Sequence, residues 1–452
     1  MTFARGSIFS ICFSILLACV APRIGPGPHV APRIVIAQRS ATPAPAAANP
    51  ENAYSLSPDK LAKAVAISRI RNTMDIADGL WGIFVLWLLL ATRAVAWLEA
   101  WAQQISARRW IQGLVFFAVF IFVTALADLP LVWFSQHVER SYDISVQGWG
   151  SWLGDQGKAL GLSLLLGAPA LLLFNWIVRR WPRRYWFGIW LVTLPLIVLS
   201  VFATPFFEPL FYHYEPLSKN HAALVTELEK VVARTGTYIP PERMFLMKAS
   251  AKSNGLNAYV SGMGATQRIV VWDTTAGRIP DDEVLFIFGH ESGHYVLNHI
   301  PKMIIGAAIG LFFVYWACAA LAGGLACRFG TRWGLGQVEG NLLASRSGFI
   351  VLLFAISVAG FALEPASNAF SRSFEHQADV FGQEAIHGIV ADPRKTAVSS
   401  FNHLGEAWLE DPNPSAFIEF WEFNHPSVQN RANFARDYDP WANDGHGEFF
   451  AK

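Results

Sequence analysis

The sequence predicts a predominantly α-helical polytopic membrane protein that carries a small α+β region. Three observations predict it. Of 452 residues, 53% are hydrophobic and only 15% charged, where a soluble domain carries about a quarter charged residues. Six apolar segments each approach the roughly 20 residues that cross hydrocarbon. Between the fourth and fifth lies a polar stretch with the periodicity of one amphipathic helix and several short strands. The 18 Trp and 34 Phe suit a chain with bilayer interfaces to occupy. A formal net charge of +1 offers no basic excess to neutralise phosphates, so the lipid bilayer is an expected partner and nucleic acid is not.

Taken in order, residues 1–40 open with one arginine and an apolar run too short to span comfortably, the pattern of a signal peptide or weak anchor. Cleavage could fall at Cys19, after "LLA", or before Gln38, after "VIA". Residues 41–78 are a Pro/Ala-rich linker ("ATPAPAAANP") with an amphipathic lead-in. Residues 79–206 hold four expected spans: Leu80 to Leu98, Gly113 to Phe134, Leu160 to Val178 and Trp186 to Phe206. The polar region 207–301 contains "HAALVTELEKVVARTG", an amphipathic helix stopped by Gly236, and three β-rich runs, "RMFLMKA", "LNAYVSG" and "QRIVVWD". A further helix is expected to start at Pro280 and its acids and to run unbroken to Pro301. Residues 302–366 form a membrane hairpin, Met303 to Ala326 and Gly348 to Leu363, and 367–452 are again soluble in character.

The helix before Pro301 carries "FGHESGHYVLNH". His290 and His294, four apart, share one face and can offer two imidazoles to a single ion, while Glu291 projects beside them as a base for water. The bland alternative is a polar helix face with satisfied histidines. The four cysteines (Cys12, Cys19, Cys318, Cys327) lie in or beside apolar runs without metal-ligand spacing, so a metal site must use His, Asp and Glu. Zinc suits such a set, typically with three protein ligands and one open position. "SRSFEHQADVFG" supplies the best third ligand. Glu375 and Asp379 are four apart among Phe374, Ala378, Val380 and Phe381, and a carboxylate there is costly to bury unless paired or metal-bound. Glu375 would complete the ligand set and Asp379 would orient a ligand histidine; the alternative is a solvated helix face. His299 follows His290 by nine residues, about 13 Å along one continuous helix, too far to share the ion.

In that order, "EPLFYHYEPLS", "SNGLNAYVSGMG" with "RIVVWDTT", "HESGH", "SRSFEHQAD" and "NHPSVQNR" resemble the motifs of the Ste24-type CAAX prenyl proteases, integral-membrane metallopeptidases of the M48 group. The likeness spans about residues 75–436 in layout and is sharp from about 205. It implies a gluzincin-like zinc-metallopeptidase region in 207–301 and 367–452, with one Zn2+ per chain held by His290, His294 and Glu375. It further implies that Glu291 is general base and then proton donor, and that Asp379 supports the site. Asn257 would lie on the sheet edge that receives substrate, His425 would stabilise the oxyanion, and Arg431 would fix that histidine or the peptide. A peptide or protein substrate bound as an extended strand, possibly lipidated at a CaaX terminus, follows from the same resemblance. Seven spans are usual in that family, which would need the first segment of this chain retained.

Two lines of reading place the motif region on opposite sides of the membrane. Arg108 and Arg109, Arg179, Arg180, Arg183 and Arg184, and Arg328 and Arg332 fall in three loops that the positive-inside rule makes cytoplasmic, leaving the motifs on the other side. The resemblance implies the cytosolic side. The loop charges are given the greater weight, and the signal-like start suits a bacterial inner membrane. The function expected is a membrane zinc metalloendopeptidase with CAAX-type C-terminal processing. The alternatives are a quality-control protease for membrane proteins and, from another class, a non-catalytic zinc-binding or transport protein. Glu291 and the scarcity of ionisable residues in the spans speak against the last of these.

Overall fold

The helices that carry the apolar runs extend well beyond those runs, and their polar ends carry the polar unit. The computed structural model describes residues 52–338, 340–442 and 445–451; the signal-like segment, with Cys12 and Cys19, lies outside them. Among the described residues six helices are long and apolar enough to span. They are α1 (Pro58–Ala91), α3 (Arg109–Ser141), α4 (Trp149–Arg180), α5 (Tyr185–Phe207), α8 (His299–Trp333) and α9 (Arg346–Ala385). The 40 residues of α9 rise about 60 Å, twice the roughly 30 Å of hydrocarbon.

Two boundaries differ from the expected ones. Helix α1 begins at Pro58, inside the expected linker, and breaks at Arg93 (φ 62°), so the expected span Leu80 to Leu98 is cut. The short α2 (Ala94–Ile105) follows. At this break the Arg93 guanidinium Nε donates to the Arg332 carbonyl at 2.8 Å, one of the acceptors left open at the end of α8. The helix expected from Pro280 to Pro301 is also two helices. Helix α7 (Asp281–Val296) ends, Asn298 takes the left-handed conformation (φ 57°), and α8 starts at His299. Pro301 explains the break, since its ring would strike the carbonyl of residue 297 in a continuous helix but is tolerated in a first turn.

Between α5 and α7 the chain folds β1 (Tyr214–Pro216), α6 (Ala222–Thr235), β2 (Met244–Met247), β3 (Ala258–Ser261) and β4 (Arg268–Trp272). The sheet order is β1-β2-β4-β3. β2 runs parallel to β4, and β3 pairs antiparallel with β4 in the register Ala258↔Val271. β3 is therefore an edge strand. After α9 come α10 (Pro393–Trp408), α11 (Ala416–Trp421) and α12 (Val428–Asp437).

Among the described residues the apolar side chains form two cores. Trp272, Val270, Leu246, Phe286 and Phe401 belong to the one that joins the sheet to α7 and α10, while Phe116, Phe120, Leu171 and Ile350 belong to the one among the spans. Helices α1 and α9 run through both, giving Ile67 and Phe381 to the first and Leu90 and Ile350 to the second. Buried ion pairs reinforce the junction. Arg71 of α1 holds Glu139 of α3 at 3.2 Å and the Trp408 carbonyl at 2.6 Å, and Lys252 pairs with Asp155 of α4.

Carboxylates fasten α9 at both ends. Glu99 of α2 accepts from the backbone N–H groups of Arg346 and Ser347 at 3.0 and 2.9 Å, satisfying donors that a helix start leaves open. At the other end the buried Glu384 accepts from the backbone N–H groups of Glu448, Phe449 and Phe450 at 2.6, 2.8 and 2.9 Å.

Helices α7 and α9 cross at glycines. A Cβ on Gly382 would sit 2.7 Å from the His290 nitrogen, and one on Gly289 would sit 3.0 Å from the Gly382 carbonyl oxygen. Gly382→Ala forces the helices apart, with an expected loss of about 1–3 kcal/mol. Thermal unfolding of the purified protein in detergent, compared with an exposed-site control such as Gly161→Ala, checks it.

Candidate metal centre

Each site residue is set by the element that bears it. Helix α7 puts His290 and His294 one turn apart on the face turned to α9, and α9 answers with Glu375 and, a turn on, Asp379. His290 Nε2 and His294 Nε2 stand 3.2 Å apart. Glu375 Oε2 is 3.4 Å from His290 Nε2, and its Oε1 is 3.6 Å from His294 Nε2. Ligands about 2 Å from one ion at tetrahedral angles stand roughly 3.3 Å from each other. The three donors meet that spacing. Among the described residues His290, His294 and Glu375 form the one cluster of ligating side chains close enough to share a cation.

The charge balance also asks for a cation. Glu375 and Asp379 are 6% and 3% exposed. Burial alone disfavours a charged His290, yet the hydrogen bonds to Asp379 and Glu375 outweigh it and push the imidazole up to about 9. Burial pushes Glu291 up to about 7, opposed mainly by His290. His294 goes the other way, down to about 3 by burial, which keeps it the neutral imidazole that a ligand must be. A divalent ion bound there would take the place of the His290 proton as the positive partner of Glu375, while Arg431 answers Asp379.

His290 Nδ1 donates to Asp379 Oδ1 at 2.8 Å, and Arg431 Nε donates to Asp379 Oδ2 at 2.8 Å with a second bond from its terminal nitrogen. A carboxylate held this way fixes the tautomer and aim of a ligand histidine. The resemblance implies that Arg431 helps hold His425 or the peptide; in the structure α12 packs its buried guanidinium (2% exposed) under α9, where it bonds Asp379. His425, in the turn before α12, points Nε2 at Glu375 Oε2, 3.0 Å away.

Asn257 immediately precedes the edge strand. Its backbone is pinned to the end of β4: its N–H donates to Thr275 Oγ1 at 2.8 Å, and its carbonyl accepts from Trp272 N at 3.0 Å. Tyr295 Oη donates to the Gly262 carbonyl at 2.9 Å, so the motif helix is tied to the end of the edge strand. Asn257, His290, Glu291 and Arg431 line one pocket with Phe286, Ile287, Phe401 and Leu404.

His299 corrects the sequence reading, which sets it about 13 Å away along a continuous helix. The break at Asn298 folds it back, fully buried, with Nδ1 3.1 Å from His294 Nδ1 and Nε2 3.2 Å from Gln377 Oε1. It faces the far side of the His294 ring from the metal donors. Sequence reasoning misses His299, Gln377, Gly289 and Gly382; Pro301 is the available signal for the first.

Residues 218–439 match the profile of peptidase family M48, and residues 37–213 match that of the CAAX prenyl protease N-terminal region, described as five membrane helices. The "Uncharacterized metalloprotease YhfN" of Bacillus subtilis (strain 168) is 32% identical over 390 residues, 84% of this chain and 86% of the relative. The "CAAX prenyl protease 1 homolog" of Dictyostelium discoideum is 26% identical, covering 72% of each chain. The crystal structure of S. mikatae Ste24p superposes with a TM-score of 0.71 at 22% identity, over 84% of this chain and 89% of that one. With that fold, and a bacterial relative matched along most of both chains, this chain belongs to peptidase family M48 as an integral-membrane metallopeptidase resembling the CAAX prenyl proteases.

Proposed function

We propose that the chain is a zinc endopeptidase that cuts extended peptide chains at the α7–β3 cleft. The observation that carries it is the convergence of His290, His294 and Glu375 with Glu291 beside them. Three N/O donors at tetrahedral spacing, with no cysteine among them, are the donor set of catalytic rather than structural zinc. Bound there, zinc supplies the Lewis acidity that activates water and polarises a peptide carbonyl. Glu291 takes the proton from that water, burial having raised its basicity to a useful range, and hands it to the leaving amine. His425, with Nε2 turned toward the metal side, donates to the oxygen on which charge develops. Asp379 and Arg431 hold His290 in place.

Substrate specificity follows from the same surfaces. β3 is an edge strand, the kind that an extended peptide can join as an added strand, with Asn257 at its start. The pocket lined by Phe286, Ile287, Phe401 and Leu404 beside Glu291 suits an apolar side chain next to the cut bond. Since the relatives' descriptions name CAAX prenyl processing, a C-terminal peptide with a prenylated cysteine and aliphatic residues is the substrate class proposed. Nucleic acid is no part of it.

The basic loops support an orientation. Arg93 bonds to the Arg332 carbonyl, and Arg346 bonds to the Arg109 carbonyl at 2.9 Å, so the first and last of the three arginine-bearing loops meet at one end of the bundle. Glu375 lies 29 residues, about 44 Å of helix, beyond Arg346 at the start of α9. In a bacterial inner membrane the positive-inside rule puts that basic end in the cytoplasm and the metal centre outside.

Three measurements check this reading. Glu291→Gln is expected to keep the bound metal while losing about 10²–10⁴-fold in kcat, read by metal analysis and peptide hydrolysis on one preparation. Asp379→Asn is expected to weaken metal affinity about 10–100-fold, read by competition with a chelator. A single cysteine placed at exposed Tyr238 is expected to react with a membrane-impermeant maleimide in intact spheroplasts; protection there until lysis reverses the orientation.

A further inference from the structure

Both metal-binding histidines have a second nitrogen, and the structure answers for each one separately. For His290 the partner is Asp379, backed by Arg431. We infer that His299, held by Gln377, is the positioning residue that fixes the tautomer and aim of the ligand His294. This inference rests on the zinc site proposed above and adds two residues to it.

The geometry runs in one direction. Gln377 presents Oε1, which only accepts, to His299 Nε2 at 3.2 Å. The proton of a neutral His299 therefore sits on Nε2, and its Nδ1 keeps a lone pair. That lone pair lies 3.1 Å from His294 Nδ1; two bare nitrogens would repel at this distance, so His294 carries its proton on Nδ1 and donates it. His294 Nε2 is then left with its lone pair directed toward His290 Nε2 and Glu375, as a metal ligand requires.

The placement is built by the fold. Asn298 in the left-handed conformation turns the chain so that His299 returns under His294. The His299 ring is wholly buried and lies 4.6 Å, centroid to centroid, from Phe374, which fixes its plane. On α9, Glu375, Gln377 and Asp379 alternate as third ligand, anchor for the His294 relay and anchor for the His290 relay. One segment of five residues thus governs all three donors.

The test uses the full-length protein in detergent and reads zinc affinity by competition with a chromophoric chelator, together with the melting temperature of the metal-free form. His299→Phe keeps the ring and its packing on Phe374 but removes the acceptor; its zinc affinity is expected to fall about 10–100-fold with the metal-free melting temperature unchanged. His299→Asn, whose Oδ1 can take the place of Nδ1, is expected to recover most of that loss. An unchanged affinity in His299→Phe overturns the inference, and so does an Asn variant as weak as the Phe variant. Should His299→Phe not fold, Gln377→Met carries the test: a weakening of about tenfold supports the relay and wild-type affinity overturns it. His294→Ala is the control. If it loses zinc while His299→Phe does not, only the relay falls; if the wild-type protein binds no zinc, the proposed function falls with it.

Discussion

The close crossing of α7 and α9 is the contact on which the site depends. Helices packed through ordinary side chains keep their axes about 8–10 Å apart, and Gly289 and Gly382 let these two approach backbone to backbone. Only at that separation do short carboxylates on α9 reach the imidazoles of α7. His290 meets both Glu375 and Asp379 within 3.4 Å, which neither a longer gap nor a bulkier residue at 382 would permit. The metal centre is thus a property of two helices in contact, one beginning in the soluble unit and the other arriving from the membrane.

That arrangement explains why so much buried charge is tolerated. Isolated carboxylates in an apolar core are costly, yet α9 buries Glu375, Asp379 and Glu384 within ten residues. Each has its own compensation: the imidazoles and the expected cation for the first, the Arg431 guanidinium for the second, and the backbone N–H groups of the C-terminal segment for the third. With Glu99 bonded to its first turn, α9 is fixed at both ends and loaded at one. A helix fastened at both ends suits a site where a misplaced ligand of an ångström lowers rates strongly.

Much of this is legible in the sequence because the signals are local. Six apolar runs, the His-Glu-x-x-His spacing and the Glu375/Asp379 pair each arise within a short stretch of chain, and the structure brings His290, His294 and Glu375 into one cluster. The misreadings come from chain geometry that no periodicity reports. Arg93 ends a helix inside an apolar stretch, where its guanidinium meets a carbonyl 239 residues away. His299 lies beyond an assumed continuous helix, although Pro301 already forbids the hydrogen bond that such a helix needs. That Arg431 also bonds Asp379, 52 residues back on another helix, is a contact of the same kind, invisible along the chain. Gly382 carries no visible sign of its importance, since only the crossing partner shows why a Cβ is excluded.

The convergence of two imidazoles and one carboxylate on a single ion can be measured directly. Extended X-ray absorption fine structure at the zinc edge of the loaded, detergent-purified protein should show two histidine nitrogens and one or two oxygens at about 2.0–2.1 Å, and no sulfur. A shell of six oxygens, a sulfur scatterer, or only one imidazole would mean that α7 and α9 do not share the ion, and the account of this molecule as a metal-dependent peptidase built on their crossing would fail.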